Sequence, residues 1–267
     1  MLTFTKMNGA GNDFVMLDNR DGKLALDKAQ IARLCDRHRG VGADGVLLVE
    51  PAQDGAHFRM RYYNADGGEA EMCGNGARCF GRFAQRVSGR QGDISFETLA
   101  GVITAQFLGD NVRIQMSEPH ALRLNDVLDV AGQPLTVHSL NTGVPHAVVF
   151  VDDLAATDVR RLGAGLRTHP HFAPKGTNAN FVQQLGPQSI AIRTYERGVE
   201  DETLACGTGM VACALLFHQR TGAASPVQVK VRGGETLEIA FQQDGATYRD
   251  VTLTGPADFV FEGTTAL

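Results

Sequence analysis

Residues Met72–Cys79 read Met-Cys-Gly-Asn-Gly-Ala-Arg-Cys, so that a cysteine stands directly before a Gly-x-Gly turn. Apolar residues follow at helical spacing, which predicts that a helix begins at this turn. The pattern returns at Ala205–Ala212, where Cys206 precedes Gly-Thr-Gly and an apolar run extends to Phe217. A cysteine at a helix N-terminus faces unpaired backbone N–H groups and the positive end of the helix dipole, which both favour the thiolate. The sequence therefore predicts that Cys73 and Cys206 occupy chemically similar positions.

The composition is that of an ordinary globular protein. The chain has 267 residues, of which 43% are hydrophobic and 21% charged, enough for one large domain or two smaller ones. A net charge of −5 gives no reason to expect nucleic acid or a membrane surface as a partner. No apolar run could span a bilayer and the first residues lack the features of a signal peptide, so we expect a cytoplasmic protein. Five cysteines without C-x-x-C spacing indicate free thiols and predict no metal site.

The chain contains an internal repeat. The two Cys-Gly-x-Gly turns lie 133 residues apart, about half the chain length. Further segments match at nearly the same offset and in the same order. These pairs are Phe14–Asp18 with Val148–Asp152, Arg61–Asn64 with Arg193–Glu196, and Ile94–Thr98 with Val229–Arg232. Four matches in order indicate a duplication.

Each half predicts the same elements: an early strand, a helical stretch (27–37 in the first half), a strand leading into the glycine-rich loop, the helix that follows the cysteine, and alternating strands. This order predicts an α+β fold with two pseudo-symmetric domains, each a mostly antiparallel β-sheet wrapped around a central α-helix. The strand pattern ends near Pro119, which places the domains at 1–118 and 119–252. We expect a pseudo-two-fold axis to place the two helix N-termini face to face across a cleft.

Two facing cysteines suit the inversion of a carbon centre, because one sulfur can remove a proton from one face while the other delivers a proton to the opposite face. A free cysteine has a pKa of about 8.5, which a helix N-terminus lowers toward neutrality. The carbanion could be stabilised by pyridoxal phosphate, but none of the five lysines lies in a motif typical of a Schiff base. It could equally be stabilised by backbone N–H groups around the substrate carboxylate, which Gly74, Asn75, Gly207 and Thr208 can supply.

Other functions remain open at this point. The same helix N-termini could bind small anions without catalysis, or the thiols could form a redox pair. Gly207–Ala212 also matches a G-x-G-x-x-A dinucleotide pattern, but an acidic loop separates it from the preceding strand. His169 and His171 could bind a metal, although a solvated loop is the simpler interpretation because no third ligand is near in sequence.

Four groups of residues resemble the diaminopimelate epimerase family over nearly the whole chain. They are Gly9–Phe14 (Gly-Ala-Gly-Asn-Asp-Phe), Asn64–Gly67 (Asn-Ala-Asp-Gly), Met72–Cys79, and Glu196–Gly198 with Glu202–Gly209. The resemblance implies an enzyme without a cofactor that interconverts LL- and meso-diaminopimelate, for lysine and peptidoglycan precursors. It further implies a homodimer and a C-terminal tail, 253–267, that packs on the first domain. The runner-up is a two-cysteine racemase of another amino acid, similar to proline racemase.

The resemblance also implies roles for individual residues. Cys73 would act on the LL isomer and Cys206 on the meso isomer, and His146 would contact the reacting amino group. The residues that would hold the distal end of the substrate are Asn12, Asn64, Asn178, Glu196 and Arg197, and those that would hold the reacting carboxylate are Gly74, Asn75, Gly207 and Thr208. Two positions depart from the common family pattern: Val144 stands in place of Asn, and Gly45 in place of Gln.

Overall fold

The computed structural model describes residues 1–70, 72–245 and 247–266, so Leu267 at the end of the predicted tail lies outside the described residues. The strands are β1 (Leu2–Gly9), β2 (Asn12–Asp18), β3 (Gly45–Pro51), β4 (Phe58–Asn64), β5 (Glu69–Ala70), β6 (Ile94–Thr98), β7 (Gly101–Leu108), β8 (Asn111–Gln115), β9 (His120–Val130), β10 (Gln133–Asn141), β11 (Pro145–Phe150), β12 (Asn178–Gly186), β13 (Ser189–Glu196), β14 (Asp201–Thr203), β15 (Val227–Lys230), β16 (Thr236–Asp244), β17 (Thr247–Pro256) and β18 (Asp258–Thr265). The helices are α1 (Lys28–Cys35), α2 (Gly74–Ser88), α3 (Val159–Arg167) and α4 (Gly207–Thr221), with one 3-10 turn at Pro170–Phe172.

The chain forms two compact units. The first contains Met1–Gln115 and the C-terminal segment from Thr254, and the second contains Met116–Leu253. The boundaries at 118 and 252 stay a prediction. Within the described part of the chain, no helix is both long and apolar enough to cross a membrane.

The two units have the same strand order. In the first unit the order is β18-β1-β2-β3-β4-β6-β7-β8, with parallel pairs at β2–β3 and β4–β6 and antiparallel pairs elsewhere. In the second unit the order is β9-β10-β11-β12-β13-β15-β16, with parallel pairs at β11–β12 and β13–β15. The alternation of antiparallel and parallel pairs is therefore repeated from β1 to β7 and from β10 to β16, as expected for a duplicated sequence.

In each unit the sheet surrounds the helix that follows the cysteine. Helix α2 contacts β1, β2, β3, β4, β6, β7 and β8, and α4 contacts β10, β11, β12, β13, β15 and β16. Helices α1 and α3 pack on separate apolar clusters of the same sheets. Central strands such as β3 are therefore buried on both faces, which explains the continuous apolar run Val46–Val49. The predicted α+β class with a sheet wrapped around a central helix is confirmed.

The sequence patterns predicted some elements and missed others, among them the buried strands β3 and β12. The stretch 27–37 predicted a helix, and α1 spans Lys28–Cys35, with Asp27 and Gln30 forming a capping box at its start. No sequence pattern predicted β9 or β18. Most side chains of both strands are exposed, so neither strand shows the alternation that marks a half-buried strand.

The close approach of α2 to the sheet generates a stability prediction. A Cβ atom at Gly81 would lie only 2.5 Å from the Cβ of Ala105 on β7. Gly81→Ala should therefore lower the free energy of unfolding by about 1–3 kcal/mol, measured by urea denaturation, because the core has no room for the added methyl group. The double variant Gly81→Ala/Ala105→Gly should recover part of this loss. Strictly additive effects of the two substitutions would contradict the proposed contact.

Candidate active site

Both Cys-Gly-x-Gly turns place their cysteine at a helix N-terminus. Cys73 is the N-cap of α2 with φ −136° and ψ 120°, and Cys206 is the N-cap of α4 with φ −128° and ψ 110°. Neither cysteine side chain caps its helix with a hydrogen bond. Both helices have 15 residues and end at a glycine in the left-handed conformation. The N–H groups of a first helical turn have no acceptor within the helix, so each thiol lies beside donors that can bind an anion.

In the first unit a chain of hydrogen bonds has only one possible direction. The guanidinium of Arg78 can only donate, so Asn75 must turn its amide oxygen toward Arg78 Nη2, at 2.9 Å. The amide nitrogen of Asn75 then donates to Asn12 Oδ1 at 2.5 Å, and Asn12 Nδ2 donates to Asp44 Oδ2 at 3.0 Å. Two of the predicted binding residues, Asn12 and Asn75, are therefore fixed in orientation relative to the start of α2.

A cluster of charged side chains anchors the outer end of this chain. Arg37 pairs with both Asp13 and Asp44, at 2.7 and 2.8 Å, and Lys6 pairs with Asp13 at 2.7 Å. Burial acts to raise the pKa of Asp13, but hydrogen bonds from Arg37 and Lys6 outweigh it and lower this pKa to about 2. Asp13 is thus ionised at neutral pH and holds the start of β2, which carries Asn12.

Asn64 and Gly45 are neighbours across β3 and β4. The Asn64 side chain is exposed at the end of β4, while its backbone is held by a turn in which Asn64 N donates to Gly68 O at 2.9 Å. A Cβ at Gly45 would lie 2.7 Å from the ring of Tyr62 and 2.6 Å from the Tyr63 carbonyl. The Tyr62 ring therefore fills the space that a glutamine side chain at position 45 would need, which gives the departure at Gly45 a structural cause.

In the second unit a similar argument fixes the protonation of His146. Asn180 Nδ2 donates to the Ala147 carbonyl at 2.9 Å, an atom that can only accept, so the same NH₂ group also faces His146 Nδ1 at 3.1 Å. Thr194 Oγ1 donates to Asn180 Oδ1 at 2.9 Å, which is consistent with this orientation. Nδ1 of His146 is thus an acceptor, and its proton resides on Nε2.

The proton on His146 Nε2 determines the direction of the hydrogen bonds that the Thr208 hydroxyl forms. Nε2 lies 2.9 Å from Thr208 Oγ1 and donates to it, which leaves the Thr208 hydroxyl hydrogen to donate in turn. The Cys206 sulfur lies 3.7 Å from the same oxygen. Burial, with a smaller contribution from Arg197, lowers the pKa of His146 to about 3, so its imidazole is neutral at physiological pH. This unit therefore places neutral hydrogen-bond donors around its cysteine.

Asn178 and Arg197 lie at the same end of the second unit. Asn178 is paired with His146 across the parallel strands β11 and β12, and its Oδ1 accepts a hydrogen bond from the Arg197 backbone at 2.8 Å. The Arg197 guanidinium donates to the Lys175 carbonyl at 3.3 Å. Glu196 ends β13, directly before Arg197. Val144, which stands where the family pattern has Asn, stabilises its loop through the main chain: its backbone oxygen accepts a hydrogen bond from Thr142 N at 3.2 Å.

The other three cysteines are buried structural residues. Burial raises the pKa of Cys35 and of Cys79 to about 12 and raises the pKa of Cys213 well above its usual value. None of the five cysteines, all of which lie among the described residues, forms a disulfide bond. Among residues 1–70, 72–245 and 247–266, no three His, Cys, Asp or Glu side chains cluster as metal ligands would.

Several residues of these networks were not identified from the sequence. They are Asp44, Arg78, Thr142, Asn180 and Thr194. One signal could have indicated Asn180. Because strand side chains alternate, Asn178 and Asn180 share a face of β12, and a polar pair on a face of an otherwise buried strand suggests a specific role.

The neutral state of His146 leads to a prediction about pH and stability. The unfolded chain binds a proton on this imidazole near pH 6.5 and the folded chain near pH 3, so the unfolded state holds more protons in that window and stability falls as the pH falls. The free energy of unfolding is measured by urea denaturation at several pH values between 6.5 and 4. Its slope against pH should be smaller in His146→Gln than in the wild type, by up to about 1.4 kcal/mol per pH unit. His57→Gln, which removes an exposed imidazole, serves as the control. Equal slopes in wild type and His146→Gln would contradict a neutral, buried His146.

Comparison with known proteins gives the chain its family. The model of the family described as diaminopimelate epimerase matches residues 4–122 and 138–260. A protein named diaminopimelate epimerase from Hydrogenobaculum sp. (strain Y04AAS1) is 44% identical over 275 aligned residues, which cover 98% of each chain.

Solved structures agree on the fold. A PhzF-family phenazine biosynthesis protein from Bacillus anthracis aligns with a TM-score of 0.75 at 15% identity and covers 100% of this chain and 99% of its own. A probable proline racemase from Agrobacterium radiobacter K84 aligns with a TM-score of 0.73 at 17% identity, covering 100% of this chain and 93% of its own. At such identities the likeness concerns the fold alone, whereas the family match and the sequence relative span nearly the whole length. The chain therefore belongs to the diaminopimelate epimerase family.

Proposed function

We propose that this chain is an isomerase that interconverts LL- and meso-2,6-diaminopimelate without a cofactor, in the supply of lysine and peptidoglycan precursors. The observation that carries the proposal is the matched placement of Cys73 and Cys206 as N-caps of equivalent helices. A non-catalytic binder of anions would need the N–H groups of such helices but would have no use for a sulfur at both positions.

The chemistry requires one base and one acid on opposite faces of the reacting carbon. With the LL isomer, the Cys73 thiolate takes the α-proton and becomes a thiol, and the carbanion takes a proton from the Cys206 thiol, which becomes a thiolate. The meso isomer follows the reverse path. Because each cysteine alternates between acid and base, both must ionise near neutral pH, which helix N-termini favour.

The α-carbanion is stabilised as negative charge develops on the substrate carboxylate. We assign the binding of this carboxylate to the backbone N–H groups of Gly74, Asn75, Gly207 and Thr208. Fixed backbone donors at a helix N-terminus need no reorganisation during the reaction, and such preorganised donors typically lower the activation barrier by several kcal/mol. The hydrogen bond from Thr142 to the Thr208 carbonyl, at 2.9 Å, supports this placement of the Thr208 peptide.

The distal end of the substrate needs partners for a carboxylate and an ammonium group. Arg197 suits the carboxylate, since a guanidinium can bind it in a bidentate manner. Glu196, Asn12, Asn64 and Asn178 suit the ammonium group. The family resemblance assigns His146 to the side of the reacting amino group, where its neutral imidazole adds no positive charge.

A two-cysteine racemase of another amino acid would use the same fold and the same thiol chemistry. Proline lacks a second charged end, so a proline racemase would have no need for a Glu-Arg pair at positions 196 and 197. The sequence relative that matches over 98% of the chain carries the name diaminopimelate epimerase. We therefore favour diaminopimelate as the substrate.

Proton exchange tests the reaction directly. The reduced protein, incubated with LL-diaminopimelate in D₂O without added pyridoxal phosphate, should incorporate deuterium at the α-carbon and yield the meso isomer. NMR follows the α-proton and chiral chromatography follows the isomers. If a folded, reduced sample shows no exchange, the diaminopimelate assignment is wrong, and proline and other amino acids should be tested instead.

Serine variants test the two thiols. Cys73→Ser and Cys206→Ser should each lower the rate of epimerisation by about 10²–10⁴-fold, because a serine hydroxyl is a much weaker acid than a thiol. Cys213→Ala is the matched control, since this cysteine is on α4 but is buried and keeps its proton. Loss of activity in Cys213→Ala equal to that in Cys206→Ser, in a folded protein, would contradict the special role of Cys206.

We further infer a cytoplasmic homodimer. Five cysteines without a disulfide bond suit a reducing compartment. Strand β18 carries three consecutive exposed apolar side chains, Phe259, Val260 and Phe261, as an interface with a second copy of the chain would.

The oligomeric state is measured by size-exclusion chromatography with light scattering. The wild type should run as a dimer. Val260→Asp, at a position 56% exposed, should weaken the dimer by about tenfold or more, because it places a charge in an apolar interface. Val127→Asp, at a position 70% exposed on β9, should leave the dimer intact. A monomeric wild type would overturn the inference.

A further inference from the structure

Arg78 is a fully buried cation that forms no ion pair with any described residue. Its exposed fraction is 0%, and its guanidinium donates to Asn75 Oδ1 at 2.9 Å, Pro256 O at 3.2 Å and Gly74 O at 3.3 Å. All three acceptors are uncharged, and no carboxylate among the described residues pairs with it. Burial of an isolated charge is costly, so a protein rarely keeps such a residue unless an anion compensates for it.

The charge of Arg78 persists at physiological pH. Burial lowers the pKa of its guanidinium to about 10, which still leaves it protonated at pH 7 to 8. Arg78 is thus a fixed positive charge in the interior of the first unit.

The guanidinium lies at the start of α2. Helical side chains point toward the N-terminus, and two of the three acceptors of Arg78 belong to the first two residues of the helix, directly after Cys73. The positive charge of Arg78 therefore adds to the positive end of the helix dipole at the position of the Cys73 thiol.

The neighbouring titratable groups do not neutralise Arg78. Cys79, next to it on α2, is buried and stays a thiol. Asp258, beyond the acceptor Pro256, is exposed to solvent, and Arg82 on the next turn of α2 donates to the Gly109 carbonyl.

Carboxylates on the adjoining strands and loops have other cations. Asp44 is separated from Arg78 by the amides of Asn75 and Asn12 and pairs with Arg37, while Asp13 on β2 pairs with Arg37 and with Lys6 on β1. Among the described residues, the Cys73 thiol remains as the ionisable group at this end of the helix, and it acts electrostatically on Arg78.

We propose that Arg78 is the fixed counter-ion of the Cys73 thiolate, so that Cys73 rests deprotonated while Cys206 holds its proton. The consequence for catalysis rests on the proposed function: this resting state is the one that accepts the LL isomer, whose α-proton Cys73 removes. Arg78 is a positioning and charge-compensating residue, because its contacts are with the protein and it acts through Cys73.

The second unit supports the asymmetry. The residue five positions after Cys206 is Val211, an apolar side chain that is fully buried, whereas Arg78 occupies the same position after Cys73. The groups that the structure places near Cys206 include the Thr208 hydroxyl and, through it, the neutral imidazole of His146. Arg197, the cation that acts on His146, lies in the turn after β13 and not in the helix of Cys206. Helix α2 therefore carries a positive charge five residues after its cysteine, whereas α4 carries an uncharged side chain at the same position.

The pKa of Cys73 in the absence of substrate is the direct test. The rate of iodoacetamide alkylation of Cys73 is followed against pH by mass spectrometry, after digestion with a protease that does not cut at arginine. In Arg78→Met the pKa of Cys73 should rise by about one unit or more, so that alkylation at pH 7 slows about tenfold, since an opposite charge nearby shifts a pKa by about that amount. Arg78→Lys should retain most of the wild-type pKa, and the pKa of Cys206 should not change.

Arg82→Met is the matched control, because it removes an arginine from the same helix one turn further from Cys73. It should leave the pKa of Cys73 unchanged. A folded Arg78→Met variant with the wild-type pKa of Cys73, or an equal shift in Arg82→Met, would overturn the proposal.

A second measurement leaves Arg78 in place, in case Arg78→Met does not fold. In protein labelled with ¹⁵N-arginine, the Nε–H resonance of Arg78 should shift with pH in one step at the pKa found for Cys73 by alkylation. The step should disappear in Cys73→Ser. Absence of the step in the wild type, or its persistence in Cys73→Ser, would contradict the pairing. Neither measurement uses diaminopimelate, so a failure of the exchange experiment and a failure of this inference are distinguishable.

Discussion

A helix surrounded by its own sheet has to find acceptors for its first-turn N–H groups within the protein or in a ligand. In each unit of this chain, the central helix packs against six or seven strands, and its first residues are buried. An extended N-cap leaves the first-turn donors directed at one point, where an anion is stabilised by hydrogen bonds and by the helix dipole. The small residues at the start of these helices follow from this constraint, because they let a ligand approach the backbone N–H groups.

The side-chain networks complete each site by fixing the direction of every hydrogen bond. In the first unit the direction is set by Arg78, which can only donate, and in the second by the Ala147 carbonyl, which can only accept. The Arg78 guanidinium fixes the orientation of Asn75 and Asn12. The Ala147 carbonyl fixes the orientation of Asn180 and, through it, the tautomer of His146. Such networks leave few alternative arrangements, so the site is organised before a ligand binds.

Duplication of the fold has not produced identical environments. The first unit surrounds its helix N-terminus with a buried guanidinium and amides, and the second uses a threonine hydroxyl and a neutral imidazole. A two-base reaction needs a thiolate and a thiol at the same time. If the two cysteines differ in pKa, one is a thiolate while the other is a thiol. Two cysteines with equal pKa values would also populate the forms in which both are protonated or both are ionised.

The sequence by itself determined the two cysteines, the helices that follow them, the repeat, and most of the strands that cover these helices. These features depend on local spacing: glycines at a turn, apolar residues at helical intervals, and alternation along half-buried strands. The exposed strands β9 and β18 lack these patterns and became evident only in the structure.

Only the tertiary structure decided the direction of the hydrogen bonds, the burial of Arg78 without a carboxylate, the neutral state of His146, and the filling of the space at Gly45 by Tyr62. The reason is that each of these depends on side chains brought together by the packing of strands and helices. His146 and Thr208, for example, are 62 positions apart, and no local pattern predicts that they share a hydrogen bond.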